Sequence, residues 1–112
     1  MMKVLINGSK DFDDPLTFRR AMGVVMSDMS DSELNLYLTG AYKTSDIARQ
    51  FVNLTEKSFA ARGMRLTYID VPHTHPLDDI DIVVVCVNPP AKNTFVGRRA
   101  EEQGKEVYVF RY

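Results

Sequence analysis

The sequence predicts an α/β fold: a three-layer sandwich in which helices flank a five-stranded, mainly parallel sheet. Three observations predict it. Short apolar runs alternate with stretches of helical period along the whole chain. The run Ile82-Val83-Val84-Val85-Cys86-Val87 is continuous and mostly β-branched, as expected of a strand buried on both faces. Helical stretches separate most of the runs, and parallel neighbours need such crossovers.

Each element has a local cause. Val4-Leu5-Ile6 is a short strand that ends at the turn residues Asn7-Gly8-Ser9. Asp14-Pro15 opens the first helix: Asp14 can cap, and proline suits the first helical position. Phe18, Ala21, Met22, Val25 and Met29 then fall on one helix face. Leu34 to Leu38 is the second strand, ending at Thr39-Gly40. Thr44 or Ser45 is the expected cap of a second helix, whose inner face is Ala48, Phe51, Val52, Thr55 and Phe59 and whose stop is Gly63. Arg65 to Val71 is the third strand and Ile82 to Val87 the fourth. The link between them contains Pro72 and Pro76 and has no helical pattern, so it reads as an irregular crossover. Thr94 to Gln103 is the third helix, stopped by Gly104, and Val107 to Phe110 is the last strand. The expected strand order is Rossmann-like, 3-2-1-4-5; an α+β fold with a mixed sheet is the alternative.

Composition bounds the function. The 112 residues make one domain, 1–112, with no repeat or linker. Fourteen basic and fifteen acidic side chains leave a charge of -1, which argues against a nucleic-acid groove or a membrane-surface partner. No apolar run approaches the roughly 20 residues of a membrane span. The opening Met1 to Gly8 reads as a strand and not as a signal peptide. With Cys86 as the single cysteine, an intrachain disulfide is excluded and a reducing, cytoplasmic setting is expected.

In an open parallel sheet, ligands bind at the carboxyl ends of the strands, where the strand order reverses. That point lies between the first and fourth strands. The segments gathered there are Gly8-Ser9-Lys10-Asp11, Thr39 to Asp46, and Asn88-Pro89-Pro90 running on to Asn93-Thr94. Glycine admits close backbone approach, and helix N-termini favour anions. Lys10 and Lys43 add positive charge. The chemistry favoured is binding of a phosphate or carboxylate, although turn and capping needs alone also place Gly, Ser and Thr in such loops. Neither the Walker-A lysine pattern nor G-x-G-x-x-G occurs, and no cofactor is expected.

Asn7-Gly8-Ser9-Lys10-Asp11-Phe12 resembles the Gly-Ser-Arg opening of the SLOG superfamily, the Rossmann-like SMF/DprA–LOG group. Thr39-Gly40-Ala41-Tyr42-Lys43-Thr44-Ser45-Asp46 stands where its small YspA-type members carry Gly-Gly-Ala-Arg-Gly-Ala-Asp. Asn93-Thr94-Phe95 through Gly104 to Val107 is similar to their Gly-Thr helix, glycine turn and last strand. The resemblance spans nearly the whole chain and implies a binder of a nucleotide-related small molecule. It assigns Gly8, Ser9 and Lys10 to phosphate. Gly40, Ala41 and Thr44 would approach the ligand with backbone, Lys43 would add charge, Asp46 would orient a sugar, Thr94 would donate at the third helix N-terminus, and Asn88 would complete the site. The chain departs from the family at Thr39, at Lys43-Thr44 and at Lys10, where arginine's bidentate fork is lost. The Gly-Pro-Ile-Arg-Asn stretch that often follows the third strand is replaced by the link Pro72 to Asp81.

The topology is also similar to that of nucleoside deoxyribosyltransferases, whose nucleophilic Glu lies near the start of the last helix. Here Phe95, Val96, Gly97 and Arg98 occupy that place, and the first carboxylate is Glu101. An N-glycosidic enzyme is therefore the weaker reading. A degenerate interaction module, serving a homo-oligomer or a protein partner, is the other alternative.

The remaining features have plain readings. His73-Thr74-His75 with Asp78, Asp79 and Asp81 has metal-like composition, but the spacing fixes no third ligand; loop residues or a lid are expected, and no metal. Cys86 reads as a small buried hydrophobe. Met22, Met26 and Met29 read as core. Arg98 and Arg99 are a solvated helix face or a contact to phosphate or to a second subunit.

Overall fold

The computed structural model describes residues 1–27, 29–39 and 43–111. Its elements run β1 (Met2–Gly8), α1 (Pro15–Ser27), β2 (Glu33–Thr39), α2 (Lys43–Ala61), β3 (Arg65–Val71), β4 (Ile82–Val87), α3 (Phe95–Glu102) and β5 (Glu106–Arg111). The five strands form one sheet in the order β3-β2-β1-β4-β5. All four neighbouring pairs are parallel, so the expected "mainly parallel" sheet is parallel throughout. This is the Rossmann-like arrangement, with its reversal of strand order between β1 and β4.

Strand alternation divides the core in two. On one face Val4 and Ile6, Leu34, Leu36 and Leu38, and Ile82, Val84 and Cys86 pack under α1 and α2. On the other, Leu5 and Val83, Val85 and Val87 pack under Val96 and Ala100 of α3 and under Leu77 and Ile80 of the β3–β4 link. The irregular link thus does a helix's work: its two buried aliphatic side chains cover the middle of the sheet. All six residues of β4 are buried, as a two-faced strand requires. Each fully buried Val or Ile there contributes about 1.5–3 kcal/mol.

The helix ends follow local chemistry. Asp14 accepts the Leu16 N–H at 3.2 Å and the Thr17 hydroxyl at 2.5 Å, capping α1. Thr94 caps α3 through the Gly97 N–H at 3.0 Å. Gly63 (φ 75°) and Gly104 (φ 72°) take the left-handed conformation just beyond α2 and α3, where other residues would be strained. Two expectations need correction. Helix α2 begins at Lys43, so Thr44 and Ser45 lie inside its first turn and do not cap it. Met29 lies beyond the end of α1, although it still packs on the core with Met26, and Met22 is fully buried. No helix among the described residues is long and apolar enough to cross a membrane.

Candidate functional site

The carboxyl end of β1 is held by a buried polar chain. The Asn7 side-chain amide donates to Thr39 Oγ1 at 2.7 Å, and that hydroxyl donates to the Ile6 carbonyl at 2.7 Å. Both residues are 2% exposed. Gly8 follows because no Cβ fits: one built there would lie 1.9 Å from Thr44 Oγ1. Ser9 then bridges to the end of β4, its N–H donating to the Cys86 carbonyl at 2.9 Å and its hydroxyl accepting the Asn88 N–H at 3.0 Å. A turn closes from the Phe12 N–H to the Ser9 carbonyl, and the fully buried Phe12 anchors the loop in the core. Lys10 sits at the tip of this fixed turn, exposed and without an ion pair among the described residues.

Facing this loop is the start of α3. Asn93 Oδ1 accepts the Thr94 N–H at 2.8 Å, and the Asn93 amide donates to the Glu101 carboxylate. Gly97 lets the turn close: a Cβ there would sit 2.1 Å from Asn93 Oδ1 and 2.9 Å from Val85 Cγ2. Thr94 satisfies the Gly97 N–H, and its carbonyl accepts the Arg98 N–H. The N–H groups of Phe95 and Val96 precede any intrahelical acceptor.

Between the two lies a cleft of about 410 Å³. Asn7, Gly8, Ser9 and Lys10 line one wall, Asn93, Thr94, Phe95 and Val96 the other, and His73 of the β3–β4 link adds a third side. The cleft therefore opens where the strand order reverses. A cation, a hydroxyl and a helix N-terminus meet there, a combination that accepts an oxyanion. Phe95, 71% exposed, offers an apolar surface beside these groups.

The expected site residues divide accordingly. Gly8, Ser9, Lys10 and Thr94 line the cleft. Asn88 lies behind it, where its amide reaches the Asp11 carbonyl at 3.4 Å and braces the β1 loop. Thr44 is buried against Gly8 and supports the wall from outside the lining. Lys43 pairs with Asp13 at 3.3 Å. Asp46 pairs with Arg49 at 2.7 Å, and Arg49 also reaches Asp70 at 2.5 Å. Gly40 and Ala41 lie outside the described residues. Of the four cations expected near this edge, only Lys10 lines the cleft: Arg98 is exposed elsewhere, and Arg99 donates to the His75 carbonyl at 2.8 Å.

Asn7, His73, Asn93, Phe95 and Val96 are lining residues that the sequence did not single out as ligand contacts. The end of β1 was the available signal for Asn7, and the start of α3 for Asn93, Phe95 and Val96. His73 had only the suggestion of a lid. Among the described residues no group of three His, Cys, Asp or Glu could hold a metal ion. Cys86 is buried, and burial pushes its thiol up to about 12, so it stays protonated and unreactive. No family model, curated protein or solved structure matches this chain.

Proposed function

We propose that this chain is a SLOG-like binder of a phosphate-bearing, nucleotide-related small ligand, and that the cleft between the β1 loop and α3 receives it. One observation carries the reading: Lys10 and Ser9 line the same cleft as Thr94, Phe95 and Val96 at the start of α3, at the topological switch point. In it the phosphate sits against the Phe95 and Val96 N–H groups, with Lys10 neutralising its charge and the Ser9 proton donating. The rest of the ligand lies along Phe95 and His73. The likeness of Asn7 to Phe12 and of Asn93 to Val107 to the SLOG pattern supports the same assignment.

Binding without turnover is favoured over glycosidic chemistry. Among the described lining residues there is no carboxylate to attack an anomeric carbon. Glu101 is engaged by Asn93 and does not line the cleft.

Calorimetric and thermal-shift titration with AMP, ADP-ribose and cyclic nucleotides tests the reading. A ligand at a hundred times its Kd stabilises the fold by about 2.7 kcal/mol. Lys10→Ala should remove most of that stabilisation. Absence of any response across the panel, while control proteins respond, refutes the reading.

A further inference from the structure

The two faces of the sheet are unequally covered. Helices α1 and α2 span one face, but on the other α3 and the β3–β4 link pack over β1, β4 and β5 and reach only Tyr37 of β2. The side chains of β2 and β3 that point to this second face are paired in register: Glu33 with Arg65, Asn35 with Thr67, Tyr37 with Ile69, Thr39 with Val71. Ile69 is 50% exposed in the middle of its strand. All-parallel sheets occur almost only with both faces covered, because their strands offer apolar side chains on each.

We propose that a second copy of this chain covers this strip, about a twofold axis that runs parallel to the strands, above this face and midway between β2 and β3. The strip is complementary to itself. Rotation about that axis lays β2 of one copy over β3 of the other with the register kept. Glu33 then meets Arg65 of the second copy, and Ile69 meets the Tyr37–His75 pair, each twice, as an isologous contact requires. Glu33 and Arg65 are both exposed, and neither makes an ion pair among the described residues, although they are Cα partners. The polar pair between them is already satisfied, since the Thr67 hydroxyl donates to Asn35 Oδ1 at 3.1 Å. His75 packs against Tyr37 with ring centroids 5.2 Å apart, so this pair covers β2 there while Ile69 of β3 is left exposed. A different partner would have to supply its own matching charges, whereas this strip carries both signs.

Two seven-residue strands present at most a strip roughly 23 by 10 Å, from the rise per residue and the strand spacing, with Thr39 buried at one end. That is well below the roughly 800 Å² per partner of a standard interface, so the dimer is weak and depends on concentration. The proposal does not rest on the ligand reading.

Sedimentation velocity over a concentration series tests it, with melting curves as a folding control. The chain should pass from monomer to dimer as concentration rises, and more salt should shift it back. Ile69→Lys should give monomer throughout with an unchanged melt. Glu33→Arg should weaken association at least tenfold, and adding Arg65→Glu should restore it. These charge variants lie at exposed positions and keep the test sound if the lysine variant misfolds. A chain monomeric at every concentration, its sheet open to a different partner, overturns the proposal. So does a dimer that a folded Ile69→Lys variant leaves intact, or a Glu33→Arg loss that Arg65→Glu fails to repair.

Discussion

Gly8→Ala tests how the β1 wall of the cleft is built. A Cβ at this position would lie 1.9 Å from Thr44 Oγ1, 2.7 Å from its Cβ and 2.9 Å from its Cγ2. Ordinary contacts between such atoms begin near 3.5 Å, so all three clash. Thr44 is 2% exposed in the first turn of α2, and its branched Cβ places a heavy atom toward Gly8 in more than one rotamer. Overpacking of this kind costs about 1–3 kcal/mol. At about 4 °C per kcal/mol, melting should fall by roughly 4–12 °C. Thr44→Ala should behave differently. Its buried hydroxyl has no hydrogen-bond partner among the described residues, so removing it relieves a desolvation cost of about 1–3 kcal/mol. The lost methyl costs about 1 kcal/mol in return, leaving Thr44→Ala neutral or slightly stabilising. In the Thr44→Ala background only the Cβ contact remains, and Gly8→Ala should cost about 1–2 kcal/mol less than in the wild-type chain. Urea unfolding of the four proteins gives the coupling directly. Strict additivity, or a wild-type background that tolerates Gly8→Ala, would refute the reasoning.

Other outcomes follow from the same contacts. Thr94→Ala removes the α3 cap and should cost about 1 kcal/mol by urea unfolding, with weaker phosphate binding by calorimetry. Gly97→Ala drives a Cβ into Asn93 Oδ1 and Val85, and should lower the melting temperature by more than Thr94→Ala does. Cys86 has its folded pKa raised by burial from 9.0 to about 12, so the unfolded chain ionises first. Its contribution is therefore intact below pH 9 and falls as pH rises from there toward 12, by about 1.4 kcal/mol per unit. Urea titrations should show a steeper alkaline loss of stability in the wild type than in Cys86→Ala. Arg49→Ala breaks two exposed ion pairs and should change stability by less than about 1 kcal/mol in the same assay.

Most of the fold is legible in the sequence because its signals are local. The β-branched run of β4 and the helical spacing of α1 and α2 fix element type. The crossover rule then leaves few orders besides 3-2-1-4-5. The start of α2 lies a residue or two earlier than the sequence suggests because Lys43-Thr44-Ser45 contains two capping types in succession, and local pattern does not choose between them. Leu77 and Ile80 escape a periodicity search: two isolated apolar residues in a proline-containing link have no period, yet they pack beside α3 over the middle of one sheet face. The site is legible as a set of loops and much less so as a set of side chains. Turn chemistry brings Gly8, Ser9 and Thr94 to the lining of one cleft. Whether a lysine or an aspartate is available depends on partners distant in sequence, such as Asp13 for Lys43, and no local pattern records that. Phe95 looks like an ordinary first helical residue until the opposite wall is in place.

The most direct test of the cleft's role is a backbone amide NMR titration of the intact chain with AMP. The expected result is saturable shift changes concentrated at Asn7 to Lys10 and Asn93 to Val96, lost in Lys10→Ala. Saturable changes centred elsewhere, or none at all, would contradict it.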